Sequence, residues 1–307
     1  MQRPIDTKID PERCTGCGLC VTVCPSQALR LEGGKAVVVG TWSLGCGHCA
    51  AVCPTEAVQV GFVDEQALRF ATIAPDLGKR PVPGLDPAEL VRLMATRRSC
   101  RSFSEQLVAR EVLDDLLRIG SLAPSGTNSQ AWTFTVLPDR EAMAVLGQAV
   151  AAFFTRLNRL AANPLLRLLA RVFLDDALGR YYREYYETVK EGLRQWREEG
   201  RDRLFHGAAA ALLVGSRPEA SCPIEDALLA SQNILLAAEA MGLGTCLIGF
   251  AVEALHHAPA IKEQLGIPRA ERIHAVIAIG HPRLRYRRPA GRKQVTPRVF
   301  VPRPARG

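Results

Sequence analysis

The sequence has no apolar run of the roughly 18 residues that a membrane-spanning helix requires. Its first residues also lack the charged-then-apolar pattern of a secretory signal. Hydrophobic residues make up 48% and charged residues 23% of the 307 residues, which is ordinary for a globular protein and enough for two domains. These features argue against membrane, disordered and fibrous proteins, and we expect a cytoplasmic location.

Outside its last residues, the chain has no excess of charge of one sign. The net charge is +8, but residues 283–307 contain nine Arg and Lys and no Asp or Glu, whereas the remainder is nearly balanced. This segment also has four prolines and little helical periodicity, so we interpret it as an extended arm that is solvated or wraps a partner. We favour this over nucleic-acid binding, and we expect no nucleic-acid or membrane partner.

Seven of the ten cysteines lie between residues 14 and 53. The first four are Cys14, Cys17, Cys20 and Cys24, followed by Pro25. This C-x2-C-x2-C-x3-C-P run is the spacing that bacterial ferredoxins use to ligate iron–sulfur clusters. A zinc site prefers two separated C-x2-C pairs and a thioredoxin-like motif needs one pair, so neither explains a run of four.

The pattern recurs about thirty residues later in Cys46, Cys49 and Cys53, with Ser43 at the first ligand position. Residues 5–62 resemble the two-cluster bacterial ferredoxin domain, in which the fourth cysteine of each run ligates the other cluster. The resemblance implies one [4Fe–4S] cluster on Cys14, Cys17, Cys20 and Cys53. It implies a second cluster on Cys24, Cys46 and Cys49, with Ser43 in place of the fourth thiolate.

Ser43 leaves the type of the second cluster open. A serine hydroxyl is harder and less acidic than a thiol, so it binds iron less readily. The outcomes are a serine-ligated [4Fe–4S] cluster, a [3Fe–4S] cluster, or a labile or absent cluster in a half that only completes the fold. His48 is an alternative ligand. We expect two bound clusters, the second of them atypical.

Residues 71–88 contain four prolines and two glycines and predict a linker. It separates a ferredoxin-like domain, residues 1–70, from a second domain, residues 89–307. Asp86 followed by Pro87 predicts the start of a helix. The predicted buried stripe of that helix is Leu90, Val91, Leu93 and Met94.

Four segments of the second domain carry a further resemblance. They read R-R-S-C-R-S-F (97–103), A-P-S-G-T-N-S-Q-A-W-T-F (123–134), G-L-G-T-C-L-I-G (242–249) and I-G-H-P-R-L-R-Y-R-R-P-A-G-R-K (279–293). In order and spacing they resemble the flavin-binding segments of the nitroreductase family, in its branch fused to an amino-terminal ferredoxin domain. The resemblance implies an FMN-binding α+β domain with a central, mostly antiparallel sheet flanked by helices, and a homodimer that exchanges carboxy-terminal arms.

Arg97, Arg98 and Ser99 suit the FMN phosphate, because arginine offers a fork of donors to phosphate oxygens. Arg101 would place positive charge beside the reduced ring, although taken alone the run reads as a solvated helix end. The resemblance implies further flavin contacts from Ser125, Asn128, Gln130, Leu243, Gly244 and Thr245. It implies phosphate contacts from the late basic pair, Arg292 and Lys293.

Residues 141–204 are helix-compatible, break at Asn163-Pro164 and predict a helical cap insertion. The cap contains Tyr181, Tyr182, Tyr185 and Tyr186, which on a helix would form one broad aromatic face. These phenols either line a substrate pocket and donate a proton or form a packing or dimer face, and we favour packing. The flavin itself is otherwise the catalytic group. His206 is interpreted as structural.

The sequence therefore predicts an iron–sulfur flavoprotein oxidoreductase. An external ferredoxin or NAD(P)H would supply electrons. These would pass from the clusters to FMN and then to a small organic acceptor with a nitro, quinone or activated alkene group. No Ser/His/Asp or paired-carboxylate constellation is present, as expected where cofactors supply the redox chemistry. The alternatives are a non-enzymatic electron-transfer partner and a reductive dehalogenase or specialised biosynthetic flavoenzyme.

Overall fold

The computed structural model describes residues 3–77, 84–173 and 175–301. No helix within these ranges is both long enough and apolar enough to cross a membrane. The amino-terminal domain is built from short elements, which end in a 3₁₀ turn at Glu65–Leu68. Its strands are β1 (Arg3–Pro4), β2 (Thr7–Ile9), β3 (Leu29–Glu32), β4 (Lys35–Val38), β5 (Trp42–Ser43) and β6 (Val58–Val60), and its helices are α1 (Leu19–Thr22) and α2 (His48–Ala51).

The two halves of this domain repeat one backbone pattern. Helices α1 and α2 each follow a glycine in the left-handed region, Gly18 with φ 76° and Gly47 with φ 73°. Glycine adopts this conformation without steric cost. Gln27 and Glu56, at matching positions after the two Cys-Pro pairs, also have positive φ. Strand β2 pairs antiparallel with β6, so the end of the second half lies beside the start of the first.

The carboxy-terminal domain contains a four-stranded sheet in which every pairing is antiparallel, in the order β7-β8-β10-β9. Its strands are β7 (Trp132–Leu137), β8 (Ala210–Ser216), β9 (Gly244–Leu247) and β10 (Arg272–Gly280). Its helices are α3 (Pro87–Thr96), α4 (Arg110–Gly120), α5 (Arg140–Ala162), α6 (Pro164–Phe173), α7 (Ala177–Glu184), α8 (Tyr186–Glu199), α9 (Pro223–Ala240), α10 (Gly249–His257) and α11 (Pro259–Gln264). The predicted α+β class and antiparallel sheet are confirmed.

Helices cover both faces of the sheet. Side chains of a strand alternate between its two faces. Leu213 accordingly packs in the layer that contains α5 and α10, whereas Leu212 packs in the layer that contains α4 and α9. Strand β8 is buried along its whole length, as its apolar sequence requires. The domain therefore has three layers, with the sheet in the middle.

Helix α3 begins as predicted, but its predicted buried stripe is wrong. The Asp86 carboxylate accepts a hydrogen bond from Ala88 N at 2.9 Å, and Pro87 is the first helical residue. No residue of α3 is fully buried, and Leu90, Val91 and Met94 are exposed. The reason is that α3 lies outside the three layers, where α9 packs against it but no other described part of the chain covers its apolar stripe.

The predicted break at Asn163-Pro164 is present, since α5 ends before Asn163 and α6 begins at Pro164. The Asn163 carboxamide oxygen accepts a hydrogen bond from Leu165 N at 2.9 Å, which caps the new helix. Buried residues extend along α5 from Met143 to Ala161, so this helix belongs to the domain core. The helices α6, α7 and α8 form the outer part of this helical region.

The start of the linker is fastened to α4. The buried Asp115 carboxylate accepts hydrogen bonds from Ala71 N at 2.8 Å and from Thr72 N and Oγ1 at 2.6 Å each. Burial alone would raise the pKa of Asp115, but these bonds hold it below its usual value. Arg118 donates to the carbonyl oxygen of Arg69 at 2.9 Å. The middle of the predicted linker, residues 78–83, lies outside the described residues.

The carboxy-terminal arm has no helix or strand between residues 283 and 301, and its last residues, 302–307, lie outside the described ranges. Its apolar side chains are exposed, including Val295, Val299 and Phe300, the last of which is 86% exposed. The described residues of the chain do not cover these side chains. Exchange of this arm between two copies stays a prediction.

Candidate iron–sulfur and flavin sites

The four cysteines assigned to the first cluster line one cavity. The wall of this cavity includes Cys14, Cys17, Cys20 and Cys53. Cys53 belongs to the second run, and the pairing of β2 with β6 brings that run beside the first. Cys14 and Cys20 are buried, whereas Cys17 is exposed. The arrangement fits the crossed ligand set that the resemblance implies.

A second cavity is lined by Cys24, Cys46 and Cys49 together with Ser43. Ser43 stands where the repeat has Cys14 in the first cavity, and its hydroxyl accepts a hydrogen bond from Gly45 N at 3.2 Å. His48 also reaches the wall of the second cavity. At the four positions of the repeat, this cavity therefore offers three thiols and the Ser43 hydroxyl.

Backbone amides donate to the sulfur atoms of the candidate ligands. These bonds are Ala36 N to Cys14 Sγ at 3.4 Å, Ala28 N to Cys24 Sγ at 3.4 Å and Ala57 N to Cys53 Sγ at 3.2 Å. Hydrogen bonds to sulfur favour a thiolate and are one of the ways in which proteins set cluster potentials. Burial alone would raise the pKa of Cys53, but hydrogen bonds from Thr55 and Ala57 lower it.

The residues present fit iron–sulfur clusters. Within the described ranges, no three His, Cys, Asp or Glu side chains converge closely enough to hold one metal ion. The cysteines instead stand around the walls of the two cavities. Burial raises the pKa of Cys20 and of Cys49, an effect that bound iron would overcome because it ligates thiolates.

In the second domain, the first and third flavin segments meet at one edge of the sheet. Ser99 forms a parallel bridge with Thr245, and Cys100 N donates to the carbonyl oxygen of Thr245 at 2.8 Å. A Cβ atom on Gly244 would lie 2.7 Å from Cys100 Cβ. Gly244 is therefore required by the close packing of the two segments within this chain.

This edge also concentrates positive charge. Arg97 and Arg101 lie near the Cys246 thiol, whose pKa is raised by burial while both guanidinium groups and the Ser99 hydroxyl oppose that rise. Arg98 follows Arg97 and is half-buried. These three arginines form no salt bridge in the described part of the chain, but the Glu239 carboxylate lies near Arg97, whose charge opposes the rise that burial causes in the pKa of Glu239. The cluster is therefore suited to an anion such as a phosphate monoester.

His206 lies within electrostatic reach of this arginine cluster. Burial lowers the pKa of His206 and the charge of Arg101 lowers it further, against the opposing charge of Asp202. Its backbone has φ 58°, a conformation that non-glycine residues seldom adopt. The sequence did not indicate that His206 lies near the arginines, because a single histidine before an apolar strand belongs to no motif.

The second flavin segment forms a tight loop, whose three predicted residues bind one another. Gln130 N donates to Ser125 Oγ, and Gln130 Nε2 donates to Asn128 Oδ1, each at 3.0 Å. Thr127, Asn128 and Gln130 all have positive φ. The loop contains a 3₁₀ turn at Gly126–Asn128.

Asp226, which sequence reasoning missed, anchors this loop. Its buried carboxylate accepts hydrogen bonds from Gly126 N at 2.8 Å and from Ser129 Oγ at 3.1 Å. An acidic residue in the first turn of a helix usually interacts with the helix dipole at the surface, so the sequence carried no signal of this role.

The same loop touches the wall of the second cavity. Asn128 Nδ2 donates to the carbonyl oxygens of Leu44 at 3.1 Å and Gly45 at 3.2 Å. Arg3 joins the two domains, donating to the carbonyl oxygens of Leu44 at 3.1 Å and Ser129 at 2.9 Å. Arg3 belongs to no motif, so sequence reasoning missed it.

The predicted flavin residues lie in three places of one chain. Among the described residues, no hydrogen bond, β-bridge or ion pair connects the loop at 125–130 with the arginine cluster at 97–101. Arg292 and Lys293 lie on the exposed arm, where Arg292 donates to the carbonyl oxygens of Ala290 and Gly291. Within the described residues these groups therefore make no direct contact of these kinds with one another.

The four tyrosines form two pairs rather than one broad face, because the helix is interrupted at Tyr185. Ring centroids are 6.3 Å apart in the pair Tyr181/Tyr185 and 4.7 Å apart in the pair Tyr182/Tyr186. The Tyr181 hydroxyl donates to Asn158 Oδ1 at 2.6 Å, and burial raises its pKa. These contacts favour a packing role for Tyr181.

Comparison with known proteins gives two family matches. The model of the nitroreductase family matches residues 94–281, and that of the 4Fe-4S binding domain matches residues 7–30. A putative NADH dehydrogenase/NAD(P)H nitroreductase of Archaeoglobus fulgidus is 26% identical over 200 residues, covering 64% of this chain and 86% of that protein. A 4-nitrobenzoate reductase of Nocardioides sp. is 26% identical over 226 residues, covering 69% and 88%.

Among solved structures, an FMN-bound nitroreductase from Desulfitobacterium hafniense aligns with a TM-score of 0.51 at 23% sequence identity. The alignment covers 69% of this chain and 98% of that one. This likeness concerns the fold of the carboxy-terminal domain.

Proposed function

The chain belongs to the nitroreductase family, and we propose that it is an FMN-dependent oxidoreductase fed through its own iron–sulfur domain, with a small organic molecule as the final electron acceptor. The observation that carries this proposal is the presence, in one chain, of two cysteine-lined cavities and an arginine cluster free of ion pairs. Iron–sulfur clusters supply one-electron transfer, whereas FMN accepts one or two electrons and delivers two to an organic acceptor.

The protein contributes binding, orientation and charge. Arg97, Arg98 and Ser99 hold the FMN phosphate, and Arg101 places positive charge beside the ring. Leu243, Gly244 and Thr245 approach the ring with backbone groups. In the amino-terminal domain, a [4Fe–4S] cluster occupies the first cavity and an atypical [4Fe–4S] or [3Fe–4S] cluster the second.

The flavin site is completed by a second copy of the chain. Two observations support this: no direct bond joins the loop at 125–130 to the arginine cluster among the described residues, and the pair Arg292 and Lys293 lies on the exposed arm. The exposed apolar residues of α3 and of the arm fit the same arrangement, because a dimer would cover them. In the homodimer, Ser125, Gln130 and the basic pair reach the FMN held by the partner.

The acceptor is a nitro, quinone or activated alkene compound, and the donor is an external ferredoxin or NAD(P)H. Protein purified without oxygen should contain FMN and iron. It should reduce 4-nitrobenzoate, used here as a probe, when reduced ferredoxin or NADPH is supplied. Comparison of the two donors identifies the route of entry. Purified protein without flavin or without iron, or loaded protein that reduces no acceptor of these three classes, would overturn the proposal.

A further inference from the structure

The two cysteine-lined cavities differ in what surrounds them. No hydrogen bond from the lining of the first cavity reaches the second domain in the described residues, and its Cys17 and Leu19 are exposed. The second cavity, by contrast, has Leu44 and Gly45 in its wall, and these residues accept hydrogen bonds from Arg3 and Asn128. Among the described residues, only the second cavity is therefore bonded to the flavin loop.

The contact at the second cavity is fully paired and specific. Asn128 donates to two consecutive carbonyl groups through Nδ2 and accepts from Gln130 through Oδ1, so both polar atoms of its carboxamide are used. Asn128 holds the segment that connects Ser43 with Cys46. Ser43 is the serine at a ligand position of the second cavity, and Cys46 is the next ligand position, which has the expected cysteine. Any displacement of Leu44 and Gly45 therefore moves both ends of the ligand set.

Arg3 supports the same contact from the amino-terminal side. It donates to the carbonyl oxygens of Leu44 and Ser129, and its guanidinium group lies 3.9 Å above the ring of Phe62. Gly45 lies against that ring, because a Cβ atom at this position would come within 3.1 Å of Phe62. Residues 44 and 45 are therefore held between Asn128 of the flavin loop and Arg3, which packs on the ring of Phe62.

We propose that Asn128 is a positioning residue that couples the serine-containing cavity to the flavin loop, so that this cavity is the exit of the iron–sulfur domain and the four-cysteine cavity its entrance. This inference rests on the proposed function. A one-electron protein donor is oxidised at the entrance, and two such electrons with two protons from solvent reduce one FMN. The sequence predicted that Asn128 contacts the flavin. The positioning role replaces that contact, because the carboxamide of Asn128 is already hydrogen-bonded to Leu44, Gly45 and Gln130.

The test uses the intact holoprotein with Asn128→Asp and Asn128→Gly. Aspartate keeps the shape of the side chain but removes the donor, and glycine removes the side chain while tolerating the positive φ. The matched control is Thr127→Gly, since Thr127 has the same backbone conformation but bonds to Ser221 instead. The readouts are the rate of flavin reduction by a reduced bacterial ferredoxin, the EPR spectrum and potential of each cluster, and the FMN content.

Both Asn128 variants should slow flavin reduction about tenfold and change the spectrum and potential of the second cluster, because two hydrogen bonds to its ligand segment are lost. The first cluster, the FMN content and the Thr127→Gly protein should match the wild type. The inference is overturned if both variants keep the wild-type rate and second-cluster spectrum, or if they lose FMN while that spectrum is unchanged. Wild-type protein without clusters or FMN would instead refute the proposed function.

Discussion

The amino-terminal domain encloses its candidate sites within one chain, whereas the carboxy-terminal domain divides its predicted flavin residues among three places. The crossed cysteine sets line two cavities. Among the described residues, no direct bond joins the arginine cluster, the loop at 125–130 and the exposed pair Arg292 and Lys293. The comparison teaches that short ligand spacing builds a site locally, while a large planar cofactor can be bound between subunits.

The largest expected effect concerns the four-cysteine cavity of the amino-terminal domain. Cys20→Ala removes a buried thiol from the first cavity. We expect a loss of about four irons per chain, because a [4Fe–4S] cluster needs four thiolates. Iron and sulfide quantification measures the loss, and FMN content should be retained. The control is Cys222→Ala, which removes an exposed thiol outside both cavities. Unchanged iron in the Cys20→Ala protein would show that the first cavity holds no cluster.

The second prediction tests whether two copies of the chain share the flavin site. Leu228 is exposed on α9, the helix that packs against the uncovered α3. If this face joins two copies, Leu228→Glu should give a monomer that binds FMN at least about tenfold more weakly, since an unpaired charge would be buried at the interface. Light scattering and flavin titration measure the two effects. The control is Leu31→Glu, an exposed leucine of the other domain. A Leu228→Glu monomer with normal FMN affinity would place the whole flavin site in one chain.

The third prediction sharpens the difference between the two cavities. Ser43→Cys gives the second cavity the same four thiols as the first. We expect the EPR spectrum and potential of the second cluster to shift toward those of a regular [4Fe–4S] cluster, because a thiolate is the softer ligand. Ser43→Ala serves as the comparison that removes the hydroxyl. Identical spectra for the wild type and Ser43→Cys would mean that this position does not contact the cluster.

The smallest effect concerns the hydrogen bonds between Asp115 of α4 and the start of the linker. Asp115→Ala should lower the free energy of unfolding by about 1–2 kcal/mol at neutral pH, because the hydrogen bonds to Ala71 and Thr72 are lost. The pKa of Asp115 is lower in the folded state than its usual value of 3.8. Its contribution is therefore complete above that value and is lost as the pH falls through the lower, folded pKa.

Denaturation of the wild type and Asp115→Ala at several pH values measures this contribution. The difference between them should shrink as the solution becomes acidic. Asp115→Asn keeps one carbonyl acceptor and should fall between the two proteins. A difference that stays constant from neutral to acidic pH would show that the charge of Asp115 does not stabilise the contact with the linker.

Much of the fold could be predicted because its signals are local. Asp86-Pro87 marks the start of α3, and Asn163-Pro164 marks the break after α5. The exposure of Val91 could not be predicted in this way. Periodicity indicates an apolar face, but it does not say whether the same chain or another one covers it.

The residues that sequence reasoning missed act through contacts between distant segments. Asp226 binds Gly126 and Ser129 a hundred residues earlier, and Arg3 binds Ser129 in the other domain. Nothing in the immediate sequence of either residue marks it. Asn128 was recognised as a functional candidate, but its bond to the wall of the second cavity depends on how the two domains meet.

The sequence by itself determined the two cysteine runs, the serine that interrupts the second, the flavin segments and the order of the domains, because each depends on residue types at short separations. The tertiary structure decided which cysteines share a cavity, since β2 and β6 must pair for Cys53 to reach the first run. It also decided that the flavin loop contacts the serine-containing cavity. Such contacts join segments far apart in the chain, and only the packing of one domain on the other brings them within hydrogen-bonding distance.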